Sequence, residues 1–380
     1  MNNKVMAVFG TRPEAIKMCP VVLALKKIPE LETIVCVTGQ HKEMLQQVLD
    51  CFSIVPDKDL EIMRQGQTLD EITRRILEGI TIYLQQTTPA IVLVHGDTTT
   101  AFASALACFY LGIPVWHVEA GLRTYNLQSP FPEEMNRQAV DMVAQVHFAP
   151  TEQAMKNLLL EGKKEDSITV TGNTGIDSLY YMVQKDFKSS LLNRARNKKI
   201  LLLTTHRREN IGDAMLNIFK AVHRIADEFE EVFVIYPVHL NPAVKKKAEE
   251  MLSGHPRIAL TQPMNVFRFQ NILARSNFIL TDSGGIQEEA AALKIPVLVV
   301  RDTTERPEGI LAGGLKLVGT EELAIYEECK RLLLDSGLYE KMSSAANPFG
   351  DGCASERIAQ KVVTYFGLIA ETPACRKKSF

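Results

Sequence analysis

The sequence predicts an α/β protein built from two doubly wound, Rossmann-like domains facing a central cleft. Three observations carry that prediction. Apolar runs of strand length alternate with longer amphipathic stretches, which implies mostly parallel sheets covered on both faces. A polar, basic segment at 184–199 interrupts the alternation, which then restarts. Charged residues recur directly after the apolar runs, where an open parallel sheet gathers ligand-binding side chains along the rim at its strand carboxyl ends.

In the first half, strands are expected near 4–9, 33–38, 91–95, 114–118, 146–149 and 168–171. Helices are expected near 13–27, 41–51, 68–86, 98–111, 131–143 and 151–161. Segment 184–199 reads as a linker between a domain at 1–183 and a second at 200–352. The second domain has strand-like runs near 200–204, 232–237, 258–261, 278–281, 297–300 and 315–318, with helices between them. A final helix over 353–369, in a terminal segment 353–371, would pack back onto the first domain.

Composition narrows the function. Of 380 residues, 46% are hydrophobic and 23% charged, as in a soluble globular protein. A formal net charge of −2 gives no support to nucleic-acid or anionic-membrane binding. No apolar run approaches the roughly 20 residues of a membrane span, and no secretory pattern precedes the first strand. The seven cysteines form no C-x-x-C pair, so reduced thiols and a cytoplasmic location are expected. The eight histidines show no metal-ligand spacing. No G-x-G-x-x-G follows the first strand, and no P-loop is present. No cofactor and no metal are expected. Asp57-Lys58-Asp59 reads as a charged surface connection away from the rim.

Three segments place candidate chemistry after strands: Gly10-Thr11-Arg12-Pro13-Glu14, His95-Gly96-Asp97 and His117-Val118-Glu119. Arg12, Asp97 and Glu119 would line one crevice. Glu133, in Pro130-Phe131-Pro132-Glu133-Glu134, would add an acid, though proline and acids also suit a helix start. In the second half, Asp282-Ser283-Gly284-Gly285 joins a strand to a helix. Its free N–H groups and dipole favour a phosphate, and Glu289, one turn on, would accept from a ribose diol. The alternative is a serine N-cap after a glycine turn. His206 follows a strand in Thr205-His206-Arg207-Arg208, and Arg306 follows another. Both are candidate cations for a diphosphate, while Arg207 and Arg208 also fit a solvated turn.

Together these segments resemble the non-hydrolysing UDP-N-acetylglucosamine 2-epimerases. The match runs through GTRPEAIKM (10–18), HGDTTT (95–100), HVEAGLRT (117–124), PFPEEMNR (130–137), HRREN (206–210), DSGGIQEEA (282–290) and RDTTERPE (301–308). The resemblance implies a GT-B-type fold, a cytoplasmic homodimer, and cofactor-free interconversion of UDP-GlcNAc and UDP-ManNAc, with cell-surface polysaccharide as the usual destination. It implies UDP binding by Arg12, His206, Ser283, Gly284, Gly285, Glu289 and Arg306. Lys17, Asp97, Glu119, Glu133 and His206 would surround the sugar and the reacting bonds. It also implies an allosteric UDP-GlcNAc pocket involving Gln40, His41, Glu133, Arg207 and His239. Glu43 and Gly66 depart from the regulated pattern there, so weaker activation is expected. A hydrolysing epimerase, an epimerase of a modified UDP-sugar, a GT-B glycosyltransferase and a silent nucleotide-sugar sensor are the rival readings.

Overall fold

The computed structural model describes residues 2–39, 42–64, 66–205, 207, 210–304, 306–368 and 375. The chain divides into two compact units: Met1–Tyr181 with Gly350–Lys378, and Met182–Phe349. The first unit contains β1 (Lys4–Phe9), β2 (Glu32–Val37), β3 (Lys58–Asp59), β4 (Ile91–His95), β5 (Val115–Val118), β6 (Val146–Ala149) and β7 (Ile168–Val170). Their order is β3-β2-β1-β4-β5-β6-β7, all parallel. The second contains β8 (Lys199–Thr204), β9 (Val232–Pro237), β10 (Ile258–Thr261), β11 (Phe278–Thr281), β12 (Val297–Val299) and β13 (Leu315–Leu317). Their order is β10-β9-β8-β11-β12-β13, again parallel. Both units are thus doubly wound, as expected. Their topological switch points lie between β1 and β4 and between β8 and β11.

Strand burial explains the apolar runs. Val5–Phe9 and Ile91–Val94 are fully covered, because helices flank both faces of a parallel sheet. The Leu69–Thr87 helix shows the complementary pattern: Ile72, Ile76, Ile80 and Leu84 recur every four residues and form its buried face. The Arg12–Lys26 helix starts on a capping box, with Thr11 accepting from Glu14 N and Glu14 receiving the Thr11 N–H. Among the described residues, no helix is long and apolar enough to cross a membrane.

Three details differ from the sequence reading. Lys58–Asp59 is a short edge strand paired with β2, and Asp59 ends it at the carboxyl rim, beside Gly39. Two polar residues carry no apolar period, so nothing marked them as a strand. Segment 184–199 lies within the second unit. Arg275 donates to Gln184 O at 2.6 Å and to Lys185 O at 2.9 Å, Phe187 packs edge-on to Phe267, and Ser190–Arg194 forms a short helix. Finally, Cys353 and Cys375 form a disulfide with Cα atoms 5.5 Å apart, while Cys19, Cys36, Cys51, Cys108 and Cys329 are free. Most of the residues separating that pair are helical, so spacing along the chain did not reveal their proximity.

The final helix, Ala354–Phe366, belongs to the first unit and packs on the Arg12–Lys26 helix. Its N-terminus is satisfied from outside: Asp177 accepts from Ser355 N at 2.7 Å and Ala354 N at 3.3 Å. Burial outweighs these bonds and raises the Asp177 carboxyl to about 7. A raised folded-state pKa means that the native state holds the proton more tightly than the unfolded chain. The contribution is therefore fully present below the unfolded pKa near 4 and lost as pH rises through about 7. We expect Asp177→Asn, which keeps the acceptor without the charge, to flatten this part of the stability–pH profile. Melting temperatures of the wild type and variant between those limits check it, and parallel profiles would refute it.

Candidate active site

In the first unit, the rim is assembled by loops after β1, β4 and β5. Asp97 follows β4 and Glu119 follows β5, strands paired in register with His95 opposite Val118. Glu119 has a left-handed backbone (φ 65°), unusual for a residue with a side chain, and Gly96 and Gly121 on either side are also left-handed (φ 61° and 84°). Gly121 has no alternative: a Cβ there would stand 2.3 Å from Ala154 O.

Each carboxylate has its own cation. Glu119 Oε2 is paired with Lys17 Nζ, from the helix after β1, and Asp97 Oδ2 with Arg137 Nη2, from the Glu133–Val143 helix. Asp97 and Glu119 are therefore separately neutralised. The Glu119 carboxylate lies beside the Asp97 loop, since a Cβ on Gly96 would stand 3.8 Å from its Oε1. His95 completes this group, with Nε2 3.8 Å from Glu119 Oε2. Burial lowers His95 to about 3, more than neighbouring Glu119 raises it, so the imidazole is neutral at physiological pH.

The Glu133–Val143 helix divides its two leading acids. Glu133 is its first residue and half-buried; Glu134 is fully buried. Glu134 accepts from Thr124 N at 3.0 Å and Tyr125 N at 2.9 Å, and so fixes the loop after β5. Burial works against its charge, but Gln138 and these N–H groups outweigh it and hold the carboxyl below its ordinary range. One turn on, Asn136 donates to Asp97 O at 2.9 Å. Asn136 and Arg137 are functional candidates that sequence reasoning missed; their placement one helical turn after Glu133 was the available signal. Glu14 was missed as well. It binds Gly10 N at 3.0 Å, Thr11 N at 2.8 Å and Thr98 Oγ1 at 2.6 Å, joining the loops after β1 and β4. Arg12 opens the helix after β1, half-buried.

In the second unit, β11 leads through Asp282 and Ser283 into the Gly284–Ala292 helix. Ser283 holds the N-cap position but makes no side-chain capping bond, so the simple N-cap reading does not account for its hydroxyl. Nothing would obstruct a Cβ on Gly285, which is exposed, whereas Gly284 lies 3.6 Å (from an ideal Cβ) from Arg306 Nη2. Arg306 is thereby placed at this helix start, held by an ion pair between its Nε and Glu288 Oε1. Glu289 is half-buried one turn into the helix. Asp282 is fully buried and accepts from Thr205 Oγ1 at 3.0 Å, Arg207 N at 2.9 Å and Asn210 Nδ2 at 3.0 Å. It thus ties the loop after β8 to the loop after β11. His239 is exposed just beyond β9. His206, Gln40 and His41 lie outside the described residues.

The site residues expected from sequence therefore fall into two groups: Arg12, Lys17, Asp97, Glu119 and Glu133, after β1, β4 and β5 of the first unit, and Ser283, Gly284, Gly285, Glu289 and Arg306, after β11 and β12 of the second. Comparison with known proteins gives the family. A family model described as UDP-N-acetylglucosamine 2-epimerase matches residues 23–363. The UDP-N-acetylglucosamine 2-epimerase of Bacillus subtilis is 56% identical over 370 residues, covering 97% of each chain. A crystal structure from Listeria monocytogenes aligns over 100% of both chains, with 50% identity and a TM-score of 0.93. The UDP-GlcNAc 2-epimerase of Neisseria meningitidis, solved bound to UDP-GlcNAc, is 47% identical, has a TM-score of 0.86, and is covered over 95% of this chain and 100% of its own. This chain belongs to the UDP-N-acetylglucosamine 2-epimerase family.

Proposed function

We propose that the chain interconverts UDP-GlcNAc and UDP-ManNAc without hydrolysis, by eliminating UDP and adding it back. The observation that carries this reading is the rim group on the first unit. Asp97 and Glu119 leave adjacent strands, and each is matched by a cation. Sugar transfer to an acceptor does not need so much acid–base equipment beside one carbon.

The proton on C2 of the sugar is not acidic in the ground state, because no carbonyl is conjugated to it. As the bond from C1 to the diphosphate oxygen lengthens, positive charge builds at C1 and the C2–H bond becomes acidic. A rim carboxylate, as general base, takes the C2 proton. The C–H electron pair becomes the C1–C2 double bond, and the C1–O pair leaves with UDP. The products are a 2-acetamidoglycal and UDP, both retained. Protonation on the opposite face of C2, with return of a diphosphate oxygen to C1, completes epimerisation and needs a second acid–base group. Asp97, Glu119 and Glu133 are the candidates, and Lys17 and His206 are assigned to the same chemistry. The leaving diphosphate is assigned to Arg12, His206, Arg306, the Ser283 hydroxyl and the N–H groups of Gly284 and Gly285, which stabilise charge as it develops. Glu289 is assigned to the ribose.

The deciding experiment is NMR of UDP-GlcNAc with the purified protein in D2O. Both epimers should carry deuterium at C2, and free ManNAc with UDP would establish hydrolysis instead. Glu119→Gln and Asp97→Asn should each lower kcat by about 10²-fold or more while UDP affinity by calorimetry stays within a few-fold; near-normal turnover would remove that residue from the chemistry. Glu288→Gln releases Arg306 from its ion pair. It should raise the Kd for UDP by roughly tenfold, in the same direction as Arg306→Ala but to a smaller extent; an unchanged Kd would separate the pair from the diphosphate.

A further inference from the structure

We propose that Asp141, which lies outside the rim and reaches no substrate, is a positioning residue that sets the placement of Glu119 and the Asp97 loop together. The inference rests on the elimination mechanism above for its kinetic consequence, and on geometry alone for the placement.

Asp141 is fully buried on the Glu133–Val143 helix. Its Oδ1 lies 2.6 Å from His117 Nδ1. Its Oδ2 accepts from Arg123 Nη2 at 2.6 Å and Gly121 N at 3.2 Å. The three donors bracket Glu119 in sequence, one before it and two after. Between them lie two left-handed residues, Glu119 and Gly121. A left-handed residue with a side chain is strained and persists only where its surroundings hold it. Asp141 clamps both ends of that strained turn. Arg123 is anchored a second time, by Glu161 at 2.6 and 2.7 Å.

The same carboxylate reaches the other loop through His117, whose Nε2 lies 2.8 Å from Gly96 O. A carbonyl oxygen only accepts, so Nε2 carries a proton. Burial pushes the Asp141 carboxyl up, but His117, and after it Arg123, outweigh that and keep it ionised, below its ordinary range. His117 therefore spans Asp141 and the carbonyl of Gly96, the residue just before Asp97. His147 approaches from a third side, its Nε2 3.2 Å from Asp141 O, and burial keeps it neutral.

Asp141→Asn removes the charge that His117, Gly121 and Arg123 converge on, with little change in volume. The expected result is a kcat reduced by about 10²-fold, the scale of a displacement near 1 Å at a reacting group. KM and the stoichiometry of UDP binding should change less than about threefold, because the diphosphate groups are untouched. A crystal structure of the variant should show the Glu119 carboxylate moved away from Lys17. Glu161→Gln is the control: it loosens Arg123 and lowers the melting temperature but leaves the Asp141–His117 contact, so kcat should hold. If Asp141→Asn does not fold, His117→Gln cuts the same link and should show the same split between kcat and KM. Unchanged kcat with Glu119 in place, or an equal loss in Glu161→Gln, would overturn the proposal. Absence of C2 exchange in the wild type would overturn the mechanism instead, and the position of Glu119 in the variant would still decide the placement.

Discussion

Buried carboxylates hold the working edge of this protein together. Parallel strands end in loops whose backbone N–H groups find no partner in the sheet, and a buried donor without an acceptor costs about 1–3 kcal/mol. Four acids supply the missing acceptors, Glu14 for Gly10 and Thr11, Glu134 for Thr124 and Tyr125, Asp141 for Gly121 and Asp282 for Arg207, and a fifth, Asp177, serves the Ala354 and Ser355 N–H groups that open the final helix. Each connects segments distant in the fold or in the sequence. The rim is thus braced from beneath, and Asp97 and Glu119 are left with side chains directed at cations rather than at backbone.

What surrounds each carboxylate decides its state. Asp177 faces backbone and hydroxyl donors, and burial wins, so its pKa rises. Asp141 is at least as deeply buried yet faces His117 and the Arg123 guanidinium, and its pKa falls. Neutral donors do not offset complete burial at Glu14 either, where the pKa is raised; at Asp141 the His117 contact and the Arg123 charge do. That contrast separates a carboxyl that responds to physiological pH from one that stays ionised throughout.

The outline of this arrangement was legible in the sequence because the physics behind it is local. Ile91–Val94 and Val115–Trp116 are apolar runs ending in acid-bearing segments, and both became central strands with the acids at their carboxyl ends. The helices expected near 13–27, 68–86 and 98–111 start, in the structure, after N-cap residues Thr11, Thr68 and Thr98. The bracing acids were not legible. Glu134 and Asp141 sit on an amphipathic helix where an acid reads as a solvated face or a dipole partner, and only the fold brings them against loops after β5. Pairwise contacts such as Asp97 with Arg137 or Arg306 with Glu288 likewise depend on which helix face turns inward. The polar strand Lys58–Asp59 and the Cys353–Cys375 pair were hidden for the same reason: neither carries a local period.

The two switch points solve one packing problem in parallel ways. Where neighbouring strands send their chains to opposite faces of a sheet, a gap opens at the carboxyl edge, and small hydroxyl side chains close it. In the second unit, Thr204 and Thr281, the last residues of β8 and β11, meet at 2.5 Å between hydroxyls. In the first, Thr38 and Thr100 meet at 3.1 Å over Gly10. A Cβ on Gly10 would come within 1.9 Å of the Thr38 hydroxyl, so glycine is required there by close approach, without any need for a left-handed backbone. This contact lets the loop after β1 pass low over the sheet. Arg12 and Lys17 therefore start from a fixed floor, and the pairing of Lys17 with Glu119 is set by the sheet as much as by charge.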